Sequence, residues 1–561
     1  MSRESGSSKS LLYCKPVDLN LNPSVTDTPV DCEGEGLKHE YYVTSEEVVQ
    51  AYIARAREVN PLLNAVVEDR YEAALAEARS VDHGLQTSAR GVALLAEQLP
   101  LLGVPFTVKE SIALQGLSNV AGQVRMVGQK AREDAEAVRL LREAGAIPLL
   151  VSNTPEMCMH LETDNRVTGR TNNPYDLRRT PGGSSGGEAA LLGSAASVIS
   201  IGSDICGSLR IPALFCGIFG HKPTPVVRVL AIDTEVSGLI PSSSISFCEA
   251  VCLKRGQLSH VRTNDDILEL RSRVVSISGH VPTSSDKLWP KVFVIGPMVR
   301  YAEDLPLIMR ILANENCRQL RLDQPVDLSS LKIYFLEDDD SSVIPDTVQP
   351  DIKMAMRKVI NHMKTKYNVT VQQMDTESLR NSLIQLSVPI LAMDDVTDVF
   401  QKKSNPKENK SMCIEVFKYL MGLSDISLPV IMYGMMKRCS SSAVSDNERT
   451  RMNEKNGQLK KHLKELLSDN AVFLYPTTTR CAPFHKEMHH RILNITFTIP
   501  CNTLGLPATS CPVGLNDKGL PVGIQVIAGP CQDRLCLALA KEIETAFGGW
   551  IPPPDTGLVN K

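Results

Sequence analysis

The stretch from Pro181 to Thr224 constrains this chain more than any other. It opens on a glycine loop, Gly182-Gly183-Ser184-Ser185-Gly186-Gly187, and continues as an apolar run of small residues from Ala189 to Ile201. A second small-residue turn follows, Ser203-Asp204-Ile205-Cys206-Gly207-Ser208, ahead of Arg210, Pro212 and Lys222-Pro223. Glycines at this density let backbone N–H groups approach a bound atom, because no Cβ stands in the way. A serine hydroxyl in each of the two turns then points to a reaction centre and not to a solvated surface.

The rest of the chain reads as an alternation of helix and strand, the mark of an α/β fold. Thr44-Ser45-Glu46-Glu47 is a capping box, and Val48, Val49, Tyr52, Ile53, Ala56 and Val59 share one face of the helix it starts, which Asn60-Pro61 should end. Residues 101–110 read as a short buried strand that delivers Lys109 at its end. Taken alone, such a lysine marks the point where a strand reaches water. A helix over 134–144 leads into a strand over 146–151. Further strands are expected at 331–336, 472–475, 506–511 and 523–528, with helices at 351–367, 447–467 and from Asp533. Residues 1–40 are polar and aperiodic, so a disordered or irregular segment is expected there. Residues 41–555 would then form one domain, interrupted at 226–278, where no period lasts, by an insertion.

Composition narrows the function. With 43% of 561 residues hydrophobic and 22% charged, the chain can bury a large core. A net charge of -4 gives no electrostatic case for a nucleic-acid partner. The basic cluster Lys402, Lys403, Lys407 and Lys410 lacks an aromatic platform and reads as a solvated loop. Fifteen cysteines without paired spacing point to reduced thiols, not to a disulfide framework or a zinc site. His485-Lys486-Glu487-Met488-His489-His490 lacks the order of a zinc helix and reads as surface histidines. The glycine loop lacks G-K-[ST], which argues against a phosphate-binding ATPase. The N-terminal residues hold no apolar core of signal-peptide length, and no apolar run reaches the roughly 18 residues of a membrane span. The expectation is a cytoplasmic protein, or one peripheral to intracellular membranes.

Two serines and a lysine can build a hydrolase without histidine. Serine attacks only if a neighbouring base takes its proton. A buried lysine is such a base, because burial favours its neutral form. A second serine can carry the proton between them and later return it to the leaving amine. Lys109, Ser184 and Ser208 fit those roles. The rival is a nucleophile elbow: Gly182-Gly183-Ser184-Ser185-Gly186 also satisfies G-x-S-x-G, with Ser184 attacking and His485, His489 or His490 as base. That elbow needs a buried strand before it, and the polar, proline-broken 172–180 does not supply one.

Lysine, glycine-loop serine and DIGGS-like serine, with the tail Gly217-Ile218-Phe219-Gly220-His221-Lys222-Pro223-Thr224, resemble the amidase signature family, and within it the fatty-acid amide hydrolase 2 subgroup. The similarity extends through Gly296-Pro297-Met298, Tyr301-Ala302-Glu303-Asp304-Leu305, Leu504-Gly505-Leu506-Pro507 and Phe547-Gly548-Gly549-Trp550. The resemblance implies a single large twisted mixed β-sheet covered by helices on both faces. It implies cleavage of carboxylic amides through an acyl-serine intermediate, without cofactor or metal, on fatty-acid primary amides or N-acylethanolamines. By position, Ser208 would form the acyl-ester, Ser184 would bridge and Lys109 would be the base. The N–H groups of Ile205, Cys206, Gly207 and Ser208 would form the oxyanion hole. Ser185 would support the network, and Asp204 and Arg210 would brace the turn as an ion pair.

Three departures accompany the resemblance. Cys206 stands where the family pattern has glycine, so a positive φ there would strain the turn. Residues 226–278 separate Thr224-Pro225 from Gly279-His280-Val281-Pro282, as a gene-model artefact or a surface loop. The N-terminal hydrophobic span of membrane-bound relatives is missing. An inactive amidase-like binding protein, a peripheral membrane contact and a homodimer all stay open.

Overall fold

The computed structural model describes residues 43–87, 97–225, 273–338, 346–375, 411–443, 446–468, 470–489 and 491–554, with short pieces between 386 and 409. The segment expected to be disordered, 1–40, and most of the expected insertion, 226–272, lie outside the described residues.

The frame is one sheet of 11 strands. In chain order, helix α1 (Ser45–Leu63) leads to strand β1 (Val66–Asp69), helix α2 (Tyr71–Thr87) and strand β2 (Pro105–Lys109). Helix α3 (Glu136–Glu143) and strand β3 (Ile147–Ser152) follow, then α4 (Gly186–Gly193), β4 (Ile199–Asp204), α5 (Arg210–Phe215) and β5 (Phe219–Lys222). The second half adds β6 (Val294–Val299), α6 (Leu305–Ala313), β7 (Lys332–Phe335), α7 (Pro350–Tyr367) and β8 (Thr370–Gln373). After helices α8 (Met412–Leu420), α9 (Leu428–Ala443) and α10 (Asp446–Leu466) come β9 (Ala471–Tyr475), β10 (Ala508–Leu515), β11 (Pro521–Ala528) and α11 (Asp533–Phe547). The strand order is β1-β3-β2-β4-β6-β5-β10-β11-β9-β7-β8. Parallel pairs (β2 with β3 and β4) and antiparallel pairs (β4 with β6, β10 with β11) make it a mixed sheet. Every residue of β2, β3, β4, β6, β9 and β11 is buried, which requires cover on both faces of the sheet.

Local chemistry explains where elements start and stop. The Thr44 side chain accepts from Glu47 N–H while the Glu47 carboxylate accepts from Thr44 N–H, closing the capping box. Pro61 does not end α1, which runs on to Leu63. A proline near the last turn removes one donor only, and the Asn60 side chain takes the N–H groups of Ala65 and Val66 beyond it. The small-residue run 189–201 divides into the end of α4 and the start of β4. Of the basic cluster expected as a loop, Lys402 and Lys407 lie on a two-stranded hairpin instead, Gln401–Lys402 against Asn405–Asn409, because pairing of the backbone overrides polar composition; Lys403 and Lys410 lie outside the described residues. Val274, Val275 and Ile277, inside the range read as insertion, are buried in the main core. The cysteines whose side chains are described are free thiols. Among the described residues, no helix is long and apolar enough to cross a membrane.

Candidate active site

β2 and β4 run parallel and adjacent, with Val108 opposite Ile201, so both deliver their C-terminal residues to one edge of the sheet. Crevices at such carboxyl ends are where open α/β sheets hold ligands. Lys109 ends β2 and is 0% exposed, which overturns the reading of it as a strand reaching water. Its Nζ is 2.6 Å from Ser184 Oγ and donates to Ser203 Oγ at 3.0 Å. Burial pushes the Lys109 pKa below its ordinary value, against the charges of Cys158, Asp204 and Glu188. The loop carrying Ser184 needs its glycine: a Cβ on Gly183 would stand 2.6 Å from the His160 carbonyl oxygen. The Gly183–Ser184 peptide is cis.

The turn after β4 is wound around Asp204. That carboxylate accepts from the N–H groups of Gly207 (2.7 Å) and Leu209 (3.0 Å), from Arg210 Nη2 (3.1 Å) and from Asn502 Nδ2 (3.0 Å). Arg210 in turn donates to the Thr498 carbonyl, Gln525 Oε1 and Asn502 Oδ1. Both ion-pair side chains are 0% exposed. Burial alone would raise the Asp204 pKa, but the charge and hydrogen bonds of Arg210 outweigh it and hold the carboxyl at about 2.

Positive φ in this turn falls on Gly207, at 115°, and not on Cys206. The strain anticipated for a side chain at 206 is therefore absent. At Gly207 itself a Cβ would meet Thr498 Oγ1 at 2.5 Å. Thr498 Oγ1 also holds the Cys206 carbonyl at 2.5 Å. Burial, with Asp204 nearby, pushes the Cys206 thiol up to about 12.

Ser208 is 4% exposed, and its hydroxyl has no hydrogen-bond partner among the described residues. Its carbonyl accepts from Ser185 N–H at 3.3 Å, which ties the glycine loop to the turn. Ser185 Oγ further accepts from Ser203 N–H at 3.4 Å. The Gly207 N–H is directed at Asp204, while those of Ile205, Cys206 and Ser208 have no partner among the described residues.

The elbow geometry is not found. Residues 172–183 hold only isolated bridges and turns ahead of α4, with no strand to launch Ser184. His485 is engaged elsewhere, with Nδ1 on Glu162 Oε1 (2.8 Å) and Nε2 on the Leu177 carbonyl (3.1 Å). It is mostly buried, which corrects its reading as a surface histidine, and the Glu162 carboxylate is the reason. His490 lies outside the described residues. No group of side chains that could hold a metal ion occurs among the described residues.

Three residues join Lys109 that sequence reasoning did not single out. Ser203 sits inside the quoted turn but looks like one more small residue. His280 ends the Gly279-His280 pair that follows residues 226–278 and bonds Ser203 Oγ at 3.0 Å. Cys158, one cysteine among fifteen, had no local signal at all. Burial raises its thiol, whereas the charge of a protonated Lys109 and the contacts of His280 and Ser111 lower it. Lys109 and Cys158 form one coupled pair: a charged Lys109 faces a thiolate, and a neutral Lys109 faces a thiol. Burial without a carboxylate in ion-pair contact favours the neutral pair.

A catalytic-site resemblance on this fold can be tested against whole chains. The fatty-acid amide hydrolase 2 of Homo sapiens is 36% identical over 512 residues, covering 90% of this chain and 87% of that protein. Fatty-acid amide hydrolase 2-A of Danio rerio is 38% identical over 520 residues, covering 92% and 88%. Among solved structures, 6-aminohexanoate cyclic dimer hydrolase superposes with a TM-score of 0.65 at 21% identity, covering 92% of this chain and 96% of that one, which supports the fold. The amidase family profile matches residues 47–228 and 273–537. On that match and those relatives, this chain belongs to the amidase family and shares its serine-hydrolase chemistry.

Proposed function

We propose that this protein hydrolyses fatty-acid amides, fatty-acid primary amides or N-acylethanolamines, through an acyl-ester on Ser208. The contact of Lys109 Nζ with Ser184 Oγ at 2.6 Å, inside a site that strips the lysine of water, carries this reading. Ser208 Oγ attacks the amide carbonyl carbon as its proton passes to Ser184 Oγ, whose own proton passes to neutral Lys109. The oxyanion that forms meets the turn from Ile205 to Ser208, where Cys206 and Ser208 supply free N–H groups and Gly207 supplies the φ that aims them. The proton returns from Lys109 through Ser184 to the leaving nitrogen, the C–N bond breaks, and water releases the acid by the same relay. Ser185 steadies the loop and the Asp204–Arg210 pair braces the turn.

Two observations support the acyl preference: both relatives are fatty-acid amide hydrolases, and one surface feature is apolar. Helix α8 and the residues after it expose Ile414, Phe417, Leu420, Met421 and Leu423, while Val416 and Tyr419 pack toward Met157, next to Cys158. An apolar face so near the site suits delivery of a lipid amide from a membrane surface. The amidase family match breaks off between 228 and 273, which supports reading 226–278 as an insertion within one amidase unit over 41–555.

The test is labelling of the full chain with a fluorophosphonate probe, followed by peptide mass spectrometry. An adduct on Ser208, lost in Ser208→Ala with a fall in amide turnover of about 10⁴-fold or more, supports the reading. An adduct on Ser184 alone favours the elbow, and no adduct on a folded chain marks an inactive relative. Oleamide against short-chain amides then tests the acyl class.

A further inference from the structure

The hydrogen bonds around Lys109 continue past the two serines and the lysine, and their direction can be worked out from one end. His280 is 5% exposed, and its ring packs against Phe293 with centroids 4.5 Å apart. Its segment is pinned to the residues after β2, since Val281 N–H donates to the Ser111 carbonyl at 2.7 Å and Ala113 N–H to the Gly279 carbonyl at 2.9 Å. His280 Nδ1 lies 2.8 Å from the Pro282 carbonyl oxygen. A carbonyl oxygen only accepts, so Nδ1 carries the proton. In the neutral ring Nε2 then has a lone pair and only accepts. Its partners are the hydroxyls of Ser203 and Ser111, each at 3.0 Å.

Nε2 has one lone pair for those two hydroxyls, and it also faces the Cys158 thiol. Ser111 and Cys158 face each other and can pair, whereas Ser203 Oγ has only Lys109 Nζ and His280 Nε2 as partners among the described residues, so the lone pair goes to Ser203. Its O–H points at His280 Nε2, so its oxygen faces Lys109 Nζ as an acceptor, at 3.0 Å. A neutral amine has two N–H groups and one lone pair. One N–H goes to Ser203, the other faces Cys158, and the lone pair is left for the Ser184 hydroxyl at 2.6 Å. Reverse the Ser203 hydroxyl and it would donate to that same lone pair, in competition with Ser184.

We propose that His280 is a positioning residue for the base: by accepting the Ser203 hydroxyl it keeps Ser203 from blocking the Lys109 lone pair and reserves it for Ser184. This rests on the reading of Lys109 as the base. The titratable groups facing the chain are Cys158 from the loop after β3, Asp204 at the end of β4 and Glu188 on α4, with Ser111 beside His280. Loss of the His280 acceptor has a signed consequence. A Ser203 hydroxyl that donates to Lys109 stabilises the neutral amine, whereas one that accepts stabilises the ammonium. The pKa of Lys109 therefore falls while its usefulness as a base falls with it.

The experiment is the pH dependence of the fluorophosphonate labelling rate on the full chain, which needs no knowledge of the substrate. Four variants are compared with wild type: His280→Phe, which keeps the ring packing on Phe293; His280→Gln, whose amide oxygen can accept in place of Nε2; Ser203→Ala; and the His280→Phe, Ser203→Ala double variant. The expected result is a plateau rate about 10-fold or more lower in His280→Phe, with the acidic limb moved to lower pH. His280→Gln should restore both. The double variant should be no worse than Ser203→Ala alone, because the competing hydroxyl is gone. A His280→Phe profile like wild type, a loss with the limb unmoved, or a His280→Gln variant as slow as His280→Phe overturns the proposal. His280→Leu replaces His280→Phe if the latter does not fold. Lys109→Ala separates the two readings: if it keeps the wild-type limb, Lys109 is not the base, whatever His280 does.

Discussion

Ser203 and Asp204 are neighbours on β4, and they end in two clusters that treat a buried cation in opposite ways. On one side Arg210 is fully buried against a carboxylate that it contacts through two nitrogens. Both groups keep their charge, and six further donors and acceptors satisfy them, so the cluster is a brace. On the other side Lys109 is as deeply buried, but hydroxyls and a thiol surround it and no carboxylate among the described residues makes an ion pair with it. Desolvation then favours surrender of its proton. Guanidinium suits the first cluster because it never gives up charge, and an amine suits the second because it does. The difference lies in the partners, not in the burial.

That contrast breaks most sharply at Lys109. Lys109→Arg places a permanent charge in the second cluster, and amide turnover and probe labelling should fall by about 10³-fold at every pH. A retained pH limb in that variant would show that the lysine was not what titrated. Lys109→Met should lose activity equally but raise the melting temperature, because a folded state that holds the lysine neutral binds fewer protons than the unfolded chain. Stability of the wild type then rises with pH up to the ordinary lysine value, so the gain from Lys109→Met should shrink as pH rises. A gain independent of pH would mean that Lys109 is charged in the folded protein.

In the brace, Asp204→Asn leaves Arg210 without a counter-charge, and unfolding in urea should show a loss of about 3–5 kcal/mol. The sign of its pH dependence is opposite to that of Lys109. The folded carboxyl sits at about 2, below the ordinary value, so its stabilisation is present above about pH 4 and is lost as pH falls through 2. The loss should be about 2–3 kcal/mol, and it should vanish in Asp204→Asn.

The smallest expected effect sharpens the second cluster. Cys158→Ser removes an acid whose thiolate supports the charged lysine. The acidic limb of labelling should move to lower pH by less than about one unit, with a plateau changed by less than about threefold. A shift to higher pH would mean that the thiol acts on Lys109 chiefly by some route other than its charge.

Much of this was readable from residues in a row. The glycine loop, the turn after it and the lysine at a strand end are each contiguous patterns, and steric freedom at Gly207 or a buried run such as Pro105–Lys109 follows from local chain chemistry. The capping box at Thr44 and the alternation of helix and strand are equally local. Local signals misled in two ways: a side chain next to the break, Asn60, took the N–H groups beyond Pro61 and α1 ran on, and a tertiary partner, Glu162, drew His485 inward.

What only the tertiary structure decided is who faces whom. Ser203 and Cys158 come to Lys109 from separate elements, and His280 comes from a segment 77 positions further along the chain to stand behind Ser203. Asn502 and Gln525 come from the far end of the chain to complete the brace. Sequence by itself determined the backbone shapes and the reactive groups, because those depend on residues a few positions apart. Protonation and hydrogen-bond direction depend on burial and on partners hundreds of positions away, and packing of the sheet alone sets those.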